Sequence, residues 1–218
     1  MKNICFINGS PKGKNSSSFF YLNKLDKLMD EKEYIKDYID VKFTEKNSLE
    51  DDFKKIENAD TIIIAFPLYV YCLPGILIRF FEDYYIYFKN KGKFNKNVRV
   101  YTIVNCGFPE PKINTEAIRI IENFCNRLNL YWRFGIGIGM GEFISTTKNI
   151  PFINKLSNNI FNTIHEVIKD IENESTDKIN NFFVKPKMPK YLFFISANIK
   201  WIKCAKKNSL KKSDLFRL

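Results

Sequence analysis

The sequence predicts a doubly wound α/β domain, a five-stranded parallel sheet with helices on both faces, followed by a basic amphipathic helix at the C-terminus. Three observations predict it. Short β-branched and aliphatic runs alternate strictly with stretches of helical periodicity. The run Thr61-Ile62-Ile63-Ile64-Ala65-Phe66 is apolar on both faces, as a central parallel strand should be. The segments after the first, third and fourth runs are rich in Gly, Pro, Ser and aromatic residues, at the carboxyl ends where such sheets bind ligands.

In chain order, Ile4-Cys5-Phe6-Ile7 carries a first strand near 2–8, and a serine-rich turn leads into a helix near 16–30. A strand near 35–41 and a helix near 48–58 come next, then the apolar strand near 61–66. The helix near 74–89 is apolar on nearly all sides, with Ile76, Leu77, Phe80, Phe81, Tyr84 and Ile86 among its residues. One face packs on the sheet and the rest needs another cover, a partner subunit or the chain's own tail; a homodimer is the expectation. A strand near 98–104, a helix near 113–128, a strand near 134–139 and a helix near 152–173 complete the alternation. The polar segment 173–190, marked by Pro186 and Pro189, reads as a linker.

A chain of 218 residues accommodates one compact domain with an appendage, placed at 1–175 and 176–218. Hydrophobic content of 45% excludes a disordered chain. No apolar run has the length of a membrane span, and the N-terminus enters a strand pattern at once rather than a signal peptide. Cys5, Cys72, Cys106, Cys125 and Cys204 are scattered, without a Cys-x-x-Cys pair, which argues against a disulfide framework or zinc site. A cytoplasmic protein is expected. The single histidine, His165, lies in a helical pattern, so no histidine-based metal site is expected.

The formal charge of +11 is local. Residues 185–218 hold ten Lys/Arg against one acid, Asp214, and the first 184 residues carry the remaining +2. In that tail Leu192, Ile195, Ile199 and Ile202 line one helical face, widened by Tyr191, Phe194 and Trp201, while Ser196, Lys200, Lys203 and Lys207 line the opposite one. Such a helix either docks on the body, the favoured reading, or touches an anionic membrane surface; no nucleic-acid recognition motif accompanies the charge.

The loop Asn8-Gly9-Ser10-Pro11-Lys12-Gly13-Lys14-Asn15-Ser16-Ser17-Ser18 is the richest in chemistry. Strand, Gly/Ser turn and helix start point hydroxyls and backbone N–H groups at one spot beside the positive end of a helix, which suits a dianionic phosphate. It is neither a Walker A loop nor a Gly-x-Gly-x-x-Gly dinucleotide turn. A mononucleotide such as FMN fits this cradle; the alternative is an ordinary strand-to-helix turn with a serine N-cap. The second loop, Phe66 to Gly75, and the third, Asn105 to Pro111, join aromatic rings to Gly and Pro, as suits a flat ring system held by stacking and backbone hydrogen bonds.

At these residues the chain resembles the NAD(P)H-dependent FMN reductase-like oxidoreductases of the flavodoxin-like superfamily. The carriers are Asn8-Gly9-Ser10-Pro11-Lys12 with Asn15-Ser16, Pro67-Leu68-Tyr69-Val70 with Leu73-Pro74, Asn105-Cys106-Gly107-Phe108-Pro109-Glu110, and Gly135 through Glu142. The resemblance implies a flavodoxin-like fold in which Ser10, Lys12, Asn15, Ser16, Ser17 and Ser18 surround the FMN phosphate. Pro67, Leu68, Tyr69 and Val70 would run along the isoalloxazine edge, and Asn105, Cys106, Gly107 and Phe108 would close the other side. It also implies NADH or NADPH as donor and a small-molecule acceptor such as a quinone, a nitro or azo compound or a flavin. The flavin carries such chemistry, so no side-chain nucleophile or metal is expected. Two other classes stay open at this point: a flavodoxin-like electron carrier, and a flavoprotein docked to a membrane or partner through its tail.

Overall fold

The computed structural model describes residues 1–44, 49–91, 97–147 and 150–216. It divides into two units, Met1–Pro186 and Lys187–Leu218.

The first unit is a parallel sheet with helices on both faces. Its elements run β1 (Lys2–Asn8), α1 (Ser17–Asp26), β2 (Tyr34–Asp40), α2 (Leu49–Asn58), β3 (Thr61–Pro67), α3 (Gly75–Lys91), β4 (Arg99–Asn105), α4 (Thr115–Leu128), β5 (Tyr131–Ile138), α5 (Gly141–Thr146), α6 (Pro151–Leu156), α7 (Asn158–Glu172) and β6 (Phe182–Val184). The sheet order is β2-β1-β3-β4-β5-β6, parallel throughout. Among the described residues the sheet therefore has six strands, not the five expected. The sixth pairs Phe182, Phe183 and Val184 with Ile136, Gly137 and Ile138 inside the stretch read as a linker.

Two apolar layers sandwich the sheet. Side chains of α2, α3 and α4, such as Phe53, Leu77, Tyr84 and Ile121, cover one face. Those of α1 and α7, such as Tyr21, Leu25, Ile164 and Ile168, cover the other. Residues Thr61–Phe66 of β3 are all buried, which explains the continuous apolar run. Helix α4 buries Ala117, Ile118, Ile121, Cys125 and Leu128, one stripe at helical spacing, and ends at Asn129 in the left-handed region (φ 54°). The long helix expected over 152–173 is broken into α6 and α7 at Ser157, whose hydroxyl donates to the Ile153 carbonyl instead of facing solvent. Ser48, the first residue of the helix expected over 48–58, lies outside the described residues.

A buried ion pair ties β6 and its approach to the sheet. Arg133 on β5 grips Asp170 on α7 through two bonds, Nε to Oδ2 at 2.7 Å and Nη2 to Oδ1 at 2.8 Å. The Tyr101 hydroxyl donates to the same carboxylate at 2.6 Å, and Arg133 Nη2 reaches the Asp177 carbonyl at 2.9 Å. Arg99 holds the Ser175 carbonyl. The segment after α7 is thus fastened by backbone carbonyls, which leave no trace in side-chain pattern. Burial alone would raise the Asp170 carboxyl, but the bonds from Arg133 and Tyr101 outweigh it and hold it below the ordinary range.

A folded-state value below the unfolded one contributes stability above about pH 4, lost as pH falls through the lowered value. Asp170→Asn strands the Arg133 charge and is expected to cost about 3–5 kcal/mol at neutral pH. Urea unfolding of both proteins at pH 7 and pH 3 checks it: the gap narrows at the lower pH, and a pH-independent gap contradicts the assignment.

Candidate functional site

The carboxyl ends of β1, β3 and β4 lie side by side: β3 and β4 end level at Pro67 and Asn105, and β1 ends two residues earlier, with Asn8 opposite Ala65. Just beyond each end, one amide donates to the neighbouring strand: Gly9 to the Ala65 carbonyl (2.8 Å), Leu68 to that of Asn105 (2.9 Å) and Cys106 to that of Ile138 (2.9 Å). The three loops singled out in the sequence consequently leave the sheet from one edge and enclose one crevice of about 120 Å³.

Of the fourteen residues expected at the site, ten line it: Ser10, Lys12, Ser16 and Ser17 from the first loop, Pro67, Leu68 and Tyr69 from the second, and Asn105, Cys106 and Gly107 from the third. The floor is organised by Asn8, whose Oδ1 accepts from the Ser10 amide (3.3 Å) and the Ser16 hydroxyl (3.5 Å). Ser16 is the N-cap of α1, its oxygen accepting from the Phe19 amide at 3.1 Å. Ser17 and Ser18 occupy the first two helical positions, whose N–H groups have no intrahelical acceptor. The α1 N-terminus, the Ser10 hydroxyl and Lys12 bring donors and positive charge together at this end of the crevice.

Four expected residues are directed elsewhere. Ser18 is fully buried and donates to Asn105 Oδ1 at 2.8 Å, joining the first loop to the third rather than facing the crevice. Asn15 is exposed within the 3-10 turn Gly13–Asn15. Val70 is 93% exposed, because it and Tyr71 form a tight turn with both residues at positive φ (48° and 61°), closed by reciprocal bonds between Tyr69 and Cys72. A β-branched residue there is strained. Phe108 is 65% exposed, and its carbonyl accepts from the Met140 amide at 2.7 Å.

One lining residue lies outside the expected set. Glu142, on the first turn of α5, reaches the crevice because the loop after β5 folds back over the third loop. The Gly141 amide donates to the Cys106 carbonyl (2.8 Å), and Tyr21 donates to the Gly141 carbonyl (2.9 Å). A Cβ on Gly141 would stand 2.8 Å from Asn105 Cβ, so glycine permits this approach. The Gly-Met-Gly-Glu sequence after the fifth run was the available signal.

Cys106 is no reactive thiol. Burial raises its pKa above the ordinary value, against the pull of Asn114 and of the Phe108 backbone, so it stays protonated at neutral pH. All five cysteines are free. Among the described residues no group of His, Cys, Asp and Glu is arranged to hold a metal ion, and no helix is long and apolar enough to cross a membrane.

Comparison with known proteins agrees with this fold. The sequence model of a family described as having the flavodoxin-like fold matches residues 2–124. Among solved structures, the chain is similar to an FMN-dependent NADH-azoreductase from Bacillus anthracis in complex with FMN, with 13% identity over 78% of this chain and 99% of that one (TM-score 0.56). It is similar also to an NAD(P)H:quinone oxidoreductase from Methanothermobacter marburgensis, with 11% identity over 78% and 97% (TM-score 0.58). A third is an NADH:FMN oxidoreductase in its apo form, with 14% identity over 77% and 90% (TM-score 0.52). No protein of curated function matches the chain in sequence.

Ser18→Ala is expected to leave Asn105 Oδ1 buried without its donor, at a cost of about 1–3 kcal/mol. Chemical denaturation measures it; an unchanged stability contradicts the inward role of Ser18.

Proposed function

Because the chain belongs to the flavodoxin-like fold family, we propose that it is an FMN-dependent NAD(P)H oxidoreductase that passes reducing equivalents to a small, planar acceptor. The observation that carries this reading is the meeting, in one crevice, of the donor-rich α1 N-terminus with the Pro67–Tyr69 and Asn105–Gly107 loops. The reductases reported above, which share the fold, support it.

The lining residues suit the two ends of FMN. Lys12 and the Ser10 hydroxyl, with the first-turn amides of α1, would hold the phosphate by charge-assisted hydrogen bonds. Pro67, Leu68 and Tyr69 flank one edge of the ring system. Asn105, Cys106 and Gly107 flank the other with backbone: a Cβ on Gly107 would meet no protein atom within 4 Å, so the main chain there is open to a ligand. Bound FMN supplies hydride and electron transfer; the protein supplies orientation, hydrogen bonds and exclusion of water.

The reading includes a homodimer. Helices α3 and α4 expose an apolar groove of about 220 Å³ lined by residues such as Leu73, Ile78, Phe81, Tyr85 and Phe124. A second copy is its proposed cover, and light scattering should return twice the chain mass; a monomer at micromolar concentration contradicts it.

The direct test of activity is an anaerobic titration of the FMN-reconstituted protein with NADH and then NADPH. Stoichiometric two-electron bleaching of the flavin's visible band is expected with one of them and names the donor. Bound flavin that neither nucleotide bleaches overturns the reductase reading in favour of an electron carrier.

A further inference from the structure

The second unit, Lys187–Leu218, has two elements, the helix α8 (Lys190–Lys207) and the 3-10 turn Lys212–Phe216 packed against it. The connection between them is closed by the Leu210 amide donating to the Ala205 carbonyl at 2.9 Å, which buries Ala205. That turn covers only the C-terminal end of the helix. Tyr191, Leu192, Phe194, Ile195, Ile199 and Trp201 are each between 42% and 65% exposed. At 100° per residue these six fall within one half of the helix circumference, and Lys200, Lys203 and Lys207 fall on the other half.

We propose that α8 is a membrane-surface helix that lies in the headgroup region of an anionic bilayer with this apolar face inward. Charge chooses the occupant. The unit carries nine Lys/Arg against Asp214 alone, so a second copy of the same helix meets like charge, whereas an anionic surface attracts it. The width of the apolar arc chooses it too: half the circumference, rich in aromatic residues, is far broader than the narrow seam a partner helix fills. Tyr191 and Trp201 have the amphipathic rings that settle at a membrane interface. Lys203, at the edge of the arc, and Lys206, which falls inside it at the C-terminal turn, can run their stems along apolar surface and keep the ammonium in water. The helix lies on the bilayer rather than crossing it, because no described helix is apolar enough to span. The proposal uses no property of the flavin crevice and stands or falls apart from the reductase reading.

The test is co-sedimentation of the full-length protein with vesicles of phosphatidylcholine alone and of equal parts phosphatidylcholine and phosphatidylglycerol. A Trp132→Phe background leaves Trp201 as the sole indole reporter of depth. Binding at least tenfold tighter to the anionic vesicles is expected, with a blue shift of Trp201 emission and loss of binding at high salt. Replacing Lys200, Lys203 and Lys207 by Gln is expected to weaken it by about fivefold per lysine. Ile195→Ser with Ile199→Ser, both exposed, should abolish it without shifting the thermal melt of the protein. No binding, equal binding to both vesicles, or binding that survives the Ile→Ser pair overturns the proposal. So does an Ile→Ser pair that changes only the mass in solution, which assigns the face to a second copy.

Discussion

Three backbone hydrogen bonds hold the candidate site in being. The amides of Gly9, Leu68 and Cys106 each extend the parallel ladder by one donor beyond the last residue of β1, β3 and β4. A parallel ladder makes evenly spaced bonds and no hairpins, so every strand must end on the same side of the sheet and return through a helix. With the ends adjacent and on the same side of the sheet, the serine loop, the Tyr69 loop and the Cys106–Gly107 loop surround a common crevice. Slipping any one strand by a residue would turn its loop to the other face of the sheet. The Ser18–Asn105 bond then locks the first loop to the third across β3, from beneath.

The core stabilises this arrangement more than the loops do. Both faces of the central strands are packed with apolar side chains. The Arg133–Asp170–Tyr101 cluster lies at the opposite edge from the crevice, where it fastens the approach to β6. Positional precision at the site thus comes from apolar packing under it, while the buried charge sits at the far end, away from the proposed ligand.

Much of this was legible in the sequence, and the exceptions have physical causes. Strands one, three, four and five of the pattern were marked by apolar runs long enough to imply burial. The three residues of β6 were not: Phe182, Phe183 and Val184 are only half-buried, pair along one side, and are fixed partly by the Asn181 side chain accepting from the Gly135 amide. The break at Ser157 was hidden because its neighbours keep helical periodicity across it. At the site, loop membership was readable and side-chain direction was not. Three successive serines look alike in sequence, yet a helix start aims one at a cap, one at the crevice and one into the core. Val70 points away because two consecutive positive φ values turn the chain there, a conformation that neither Val nor Tyr advertises.

The proposed function depends above all on the phosphate cradle at the α1 N-terminus. The measurement that tests it most directly is a fluorescence titration of the protein with FMN and with riboflavin, which differ only in the phosphate. If Lys12, the serine hydroxyls and the first-turn amides grip that group, FMN binds at least about tenfold more tightly, and Lys12→Gln closes much of the gap. Equal affinity for the two flavins, unchanged by Lys12→Gln, would contradict the cradle and the function built on it.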